Sequence, residues 1–183
     1  MVVAEAALAL LAIGLGRVVD VHPLAGMDLD VRGLAWGVLA TAPLLLGLLV
    51  GTRIRSGPPA RLLELVRERI RPLFAGCSAG DLALIALSAG IGEELLFRGL
   101  IQPGLAVWLP AWAALAITSV LFGLAHFVTL TYSLLAGLIG LYLGALLLVS
   151  DNLLAPVLVH ALYDLAALHL LIRLKPASAR SVV

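Results

Sequence analysis

Three ionisable residues, Glu93, Glu94 and Arg98, interrupt an apolar run that begins at Leu82 and resumes at Leu100. Each charge placed in hydrocarbon costs at least about 2.5 to 3.5 kcal/mol on insertion scales, so the run can cross a bilayer only if other groups compensate them. On a helix Glu94 and Arg98 lie one turn apart with the acid N-terminal to the base, the favourable order for an ion pair. Glu93 is turned about 100° from Glu94 and cannot share that arginine equally, so its partners must come from other helices. The chain is thus committed to a bundle whose polar groups meet inside an apolar body. Such a network can serve packing alone, but ionisable groups inside a membrane mark functional sites by default.

The rest of the composition agrees. Of 183 residues 62% are hydrophobic and 13% charged, which is too apolar for a soluble domain and identifies an integral membrane protein. A formal net charge of +1 gives nucleic acid no purchase. Cys77 stands alone, which excludes an internal disulfide and a cysteine-built metal site.

The expected fold is all-α, a polytopic transmembrane helix bundle of about six spans plus one interfacial amphipathic helix, with residues 1–183 as a single membrane domain. Residues 2–15 form a short apolar helix, and the lack of a basic stretch before it argues against a cleaved signal peptide. A polar loop, 17–32, leads to a second span over 33–50. Within the basic segment 53–73, residues 60–73 alternate Leu62, Leu63, Val66 and Ile70 with Arg61, Glu64, Arg67 and Arg71, the pattern of an amphipathic helix lying in the headgroup plane, which a plain solvated helix also shows. Further spans are expected over 82–107, with a kink at Pro103, and over 111–128, 130–149 and 153–174. Gly137, Gly140 and Gly144 permit close packing of the fifth. Basic residues concentrate in 53–71 and at Arg173, Lys175 and Arg180, which places both regions, and both termini, on the cytoplasmic side.

Three helices bring acid or imidazole to compatible depths. Glu93 and His126 lie about equally far from the Leu109-Pro110 turn, so in an antiparallel hairpin both sit roughly 25 Å from it and face each other. His160 and Asp164 are one turn apart on the last span and share a face, whereas His169 points away. A carboxylate and an imidazole on one water make it a nucleophile toward a carbonyl, and further donors stabilise the oxyanion. Other protease classes lack their residues here. There is no H-E-x-x-H. Tyr163-Asp164 has no matching Gly-x-Gly-Asp, to which residues 78–81 are a near miss, and Ser88, Ser119 and Ser133 lack a Gly-x-Ser-Gly setting.

Glu93-Glu94-x-x-x-Arg98, Phe122-x-x-x-His126 and His160-x-x-x-Asp164, in that order on successive helices, resemble the motifs of the CAAX-protease and bacteriocin-processing family of intramembrane glutamic endopeptidases, which includes the type 2 CAAX prenyl proteases and the Abi proteins. The resemblance covers residues 80–170. It implies Glu93 as the water-activating base, His126 as its partner on the water, Glu94 and Arg98 as a supporting pair, and His160 with position 164 as oxyanion donors. The family often has Asn at position 164. An ionised Asp164 donates no hydrogen bond, so it is protonated, or it orients His160, or His160 carries the oxyanion alone.

The function expected is an intramembrane endopeptidase acting on a membrane-associated peptide or protein, CAAX-like or other, without a cofactor. Zinc is disfavoured, although Glu93, His126 and His160 are ligands of the kind it takes. The composition, rich in Ala, Leu and Arg, points to a bacterial source and so to a substrate other than a prenylated one. The alternatives are a non-catalytic scaffold or an immunity or bacteriocin-resistance protein that uses the same polar core for binding. A proton-coupled transporter is less supported, since no inverted repeat is present.

Overall fold

Caps and turns divide residues 1–173, which the computed structural model describes, into seven helices, with no strand among the described residues. They are α1 (Val2–Val18), α2 (Val31–Gly51), α3 (Gly57–Phe74), α4 (Ala79–Ala106), α5 (Ala111–Ala125), α6 (Leu130–Ser150) and α7 (Leu154–Arg173). Asp30 Oδ1 accepts the Gly33 N–H at 2.6 Å to start α2, and Thr129 Oγ1 accepts the Tyr132 N–H to start α6. Each satisfies a donor that a helix N-terminus leaves unpaired. Ser78 and Asp81 form a reciprocal capping box. The near miss to a protease motif at 78–81 is therefore a helix start. Asp151, at φ 51°, ends α6 in the left-handed region and turns the chain into α7.

The helices form an apolar bundle suited to a bilayer. Both α2 and α6, with 21 residues each, are long and apolar enough to cross a membrane, and α3 and α4 pass the same test only together, as a pair bent by 111°. Against the expectation of about six spans, two helices have the length and hydropathy of a straight crossing, and a third is reached only if the bent pair counts as one span. Helix α5 has only 15 residues, below the roughly 20 of a straight span. It does not run on to Val128 as expected but stops at Ala125, with His126 as its cap. Leu39, Leu46, Leu138 and Val149 are exposed on the outside of α2 and α6, as side chains solvated by lipid are. Leu174, Lys175 and Arg180 lie outside the described residues.

Helix α4 packs against α1 and α7, α7 packs against α2, and α5 lies along α6. One core cluster, Ala12, Leu95, Leu100, Leu153 and Val157, joins α1, α4 and α7. Another, Ala40, Leu143, Leu146, Ala155 and Val159, joins α2, α6 and α7. Phe74 and Leu82 pack with Leu165 and Leu168, which fastens the end of α3 to α4 and α7. The loop before α2 is pinned as well: Asn152 donates to the Asp28 carbonyl at 2.8 Å and accepts the Asp28 N–H at 3.2 Å.

A proline inside a helix leaves one carbonyl without its donor and clashes with it. Upstream of Pro103 the chain runs as a π-helical stretch over Leu95–Ile101. The wider turn absorbs the misfit, and its position beside a polar cluster is where such stretches recur. It also carries Arg98.

Candidate active site

The site begins on α4, where Glu94 and Arg98 are almost entirely buried. Arg98 Nη1 donates to Glu94 Oε1 at 2.9 Å, the one-turn pair expected from their spacing. Nη2 of the same guanidinium donates to the Gly140 carbonyl of α6 at 2.7 Å. Its carbon lies 4.4 Å from the centre of the Phe122 ring, a cation–π contact with α5. Gly140 leaves the space for them: a Cβ there would come within 3.2 Å of both Nη2 and Phe122, and each would have to give by a few tenths of an ångström. The small residues of α6 thus make room for a guanidinium, in addition to letting the backbone of α5 approach.

Glu94 has a second partner. His160 of α7 donates from Nδ1 to Glu94 Oε1 at 2.8 Å, because a carboxylate only accepts. One oxygen therefore ties α4 to itself and to α7, and the imidazole ring is held from its Nδ1 side. The other ring nitrogen, Nε2, lies 3.6 Å from Asp164 Oδ2. The shared face of His160 and Asp164 is as expected, but the group that orients His160 is Glu94.

Glu93 points elsewhere, to the end of α5. His126 Nε2 stands 3.3 Å from Glu93 Oε2, an approach between charged or polar atoms without hydrogen-bond geometry. The His126 Nδ1 lies 2.9 Å from the Phe122 carbonyl, which accepts, so Nδ1 carries a hydrogen, and Nε2 offers a lone pair when the ring is neutral and an N–H when it is protonated. The ring stacks on Phe122 with centroids 4.4 Å apart. Ending α5 at Ala125 is what frees His126 to turn toward Glu93.

All six expected site residues therefore form two adjoining groups: a dry one of Glu94, Arg98 and His160, and a more open one of Glu93, His126 and Asp164. The second group faces a cavity of about 690 Å³, whose polar end includes Glu93, His126, His160 and Asp164 and whose walls are apolar side chains of α2, α3 and α6. His169 is not among its lining residues.

Two kinds of residue were missed from sequence. Tyr132 and Tyr163 line the cavity beside the histidines, with the Tyr132 ring edge-on to His126 at 6.4 Å. Glu5 of α1 lines it too, and its Oε2 is buried without a hydrogen-bond partner. Helix α1 reaches this place because Gly92 has no side chain, and a Cβ there would collide with the Glu5 carbonyl. The signal for Glu5 was its isolation as the single acid in the apolar run 2–15, the same cost argument that singled out Glu93.

A family model described as type II CAAX prenyl endopeptidase Rce1-like matches residues 76–166, the stretch that holds Glu93, Glu94, Arg98, His126, His160 and Asp164. Neither a search of the curated proteins nor one of the solved structures returns a match.

Proposed function

Because the chain belongs, through residues 76–166, to the Rce1-like family, we propose that it is an intramembrane endopeptidase of the glutamic type, a multi-pass protein with its basic segment 53–71 on the cytoplasmic side. The reading rests above all on the Glu93 carboxylate set 3.3 Å from the His126 imidazole at the wall of an apolar cavity. A water that donates one hydrogen to each needs the two acceptors roughly 4.5 Å apart, so the pair opens by about 1 Å to admit it. Two acceptors then hold its two hydrogens, which leaves the oxygen lone pairs turned toward the cavity and a substrate carbonyl.

Glu93 takes a proton as the water oxygen bonds to the carbonyl carbon. The oxyanion that forms needs donors, and His160 Nε2 is placed to be one. Since Nδ1–H is committed to Glu94, His160 donates from Nε2 only with both nitrogens protonated, and the Glu94 carboxylate at 2.8 Å supplies the opposing charge. When the tetrahedral intermediate collapses, the carbon–nitrogen bond breaks and Glu93 returns its proton to the leaving amine. The substrate is a membrane-associated peptide or protein whose apolar part lies along the cavity wall.

The direct test compares membrane-associated peptides in cells carrying wild type and Glu93→Gln. A peptide consumed only with wild type identifies the substrate. Identical peptide profiles favour the binding or scaffold reading.

Asp164→Asn keeps most of the activity, because its amide N–H donates beside His160 Nε2, whereas Asp164→Leu loses at least about 10² fold, the size of one oxyanion donor. Cleavage rates of the two variants decide this. An Asn form as inactive as the Leu form shows that the carboxylate itself is needed as the counter-charge of His160.

We also propose that no metal takes part. Among the described residues no three His, Cys, Asp or Glu side chains converge as a metal site, and Glu94 and His160 Nδ1 are already bound to each other. Metal analysis of pure, active protein is expected to give far less than one equivalent, with activity unchanged by chelator. One zinc per chain, with activity lost to chelator and restored by zinc, reverses the assignment.

A further inference from the structure

We propose that the outward face of α3 docks anionic phospholipid headgroups, and that this contact holds α3 in place as the roof of the cavity. The coupling to catalysis rests on the protease reading; the docking does not. Helix α3 leaves α4 at 111°, so if α4 stands across the membrane α3 runs along its surface. Its inner face is apolar: Leu62, Leu63, Val66 and Ile70 line the same cavity as Glu93. Phe74 anchors one end of it against Leu82.

The other face is basic. Arg61 and Arg69 are exposed, as are Arg53 and Arg55 in the preceding turn, against the two acids Glu64 and Glu68. Among the described residues none of these arginines, nor Arg67 or Arg71, has an ion-pair partner within 4.0 Å. Arg67 and Arg71 are half-buried, lie one turn apart across the π-helical stretch Val66–Ile70, and both keep a buried Nε with no acceptor. A guanidinium only donates and matches phosphate oxygens with two parallel hydrogen bonds. The buried Nε atoms face the protein, and two such groups on one face, whose Nη atoms are not among the buried ones, fit a phosphodiester through those Nη donors. The headgroup of a lipid is favoured over an acidic protein because α3 is tethered at both ends to α2 and α4, helices of the apolar bundle.

In this arrangement headgroups pull the basic face outward and the cavity draws the apolar face inward, so α3 is held where the two layers meet. Without anionic lipid only the apolar contacts and the Phe74 anchor remain, and the segment opens more often.

The experiment reconstitutes the full chain in nanodiscs of phosphatidylcholine alone, or with roughly a third phosphatidylglycerol, and follows backbone hydrogen exchange in residues 57–74. Exchange is expected to be at least about tenfold slower with phosphatidylglycerol, and high salt, about 1 M, is expected to remove the difference. The double variant Arg67→Gln with Arg71→Gln should lack it from the start. Arg67→Lys with Arg71→Lys should keep part of it, which separates loss of charge from loss of fold. Equal exchange in both membranes, or a lipid effect unchanged in the Gln variant, overturns the docking. Protection by an acidic peptide but not by phosphatidylglycerol overturns the choice of lipid. Exchange is read without a substrate, so these outcomes are independent of proteolysis. Once a substrate is in hand, phosphatidylglycerol should raise its turnover in wild type only; protection with no change in turnover overturns the roof.

Discussion

Glu93→Gln, the variant with the largest expected effect, stops cleavage while the protein still inserts and folds. Gln is nearly isosteric, and Glu93 Oε2 has no hydrogen-bond partner whose loss would unsettle the helix, so stability should be close to wild type. The amide cannot take a proton from water, and turnover should fall by at least about 10² to 10⁴ fold, the range for removal of a general base. His126→Ala should lose a similar amount, since the water then keeps one acceptor in place of two. The Phe122 carbonyl gives up its contact with Nδ1 in that variant, so a small stability loss is expected as well. Turnover of the identified peptide, with membrane fractionation and a thermal melt in detergent alongside, measures all of this. Normal turnover by purified Glu93→Gln would end the glutamic-protease reading.

The second large effect falls on stability. Glu94→Ala leaves Arg98 and His160 facing a buried gap, and Arg98→Ala leaves the Glu94 carboxylate with His160 as its remaining partner. Removing one member of a buried pair costs roughly 3 to 5 kcal/mol, because the other charge stays desolvated. Glu94→Ala should be the worse of the two, since one oxygen accepts from both Arg98 and His160, and it should also release the ring of His160 and lower activity. The double variant recovers part of the loss if the two groups compensate each other. Melting temperatures or denaturant midpoints of the four forms make a double-mutant cycle. Strictly additive losses would show that the pair contributes no coupling.

Much of the architecture was legible in the residue order. The apolar stretches that became α2 and α6, the amphipathic pattern that became α3, and the polar turns between helices all came from length, hydropathy and caps, which depend on near neighbours in the chain. The Glu94 to Arg98 and His160 to Asp164 relations are one-turn spacings and were readable for the same reason. Even the meeting of Glu93 with His126 followed from counting residues back to a shared turn, because an antiparallel hairpin with a short connection has few ways to pair its depths. The end of α5 at Ala125 was not readable: residues 111–128 are apolar throughout apart from small polar groups and His126, and nothing in that pattern marks a stop before Thr129.

Sequence alone therefore determined which groups lie at one depth and which share a face, since rise and turn per residue are properties of the helix itself. Tertiary structure decided which way each face is turned. A helix apolar on nearly every side has no preferred direction of its own, so its rotation is set by side-chain fit with its neighbours. That is how Glu94 came to orient His160, how the Gly140 carbonyl came to receive Arg98, how Asn152 came to hold the loop at Asp28, and how Glu5, more than seventy residues before the motif, reached the cavity beside Glu93. Each of these joins residues far apart in the chain, and the physical cause is packing in three dimensions, on which the periodicity of a single helix carries no information.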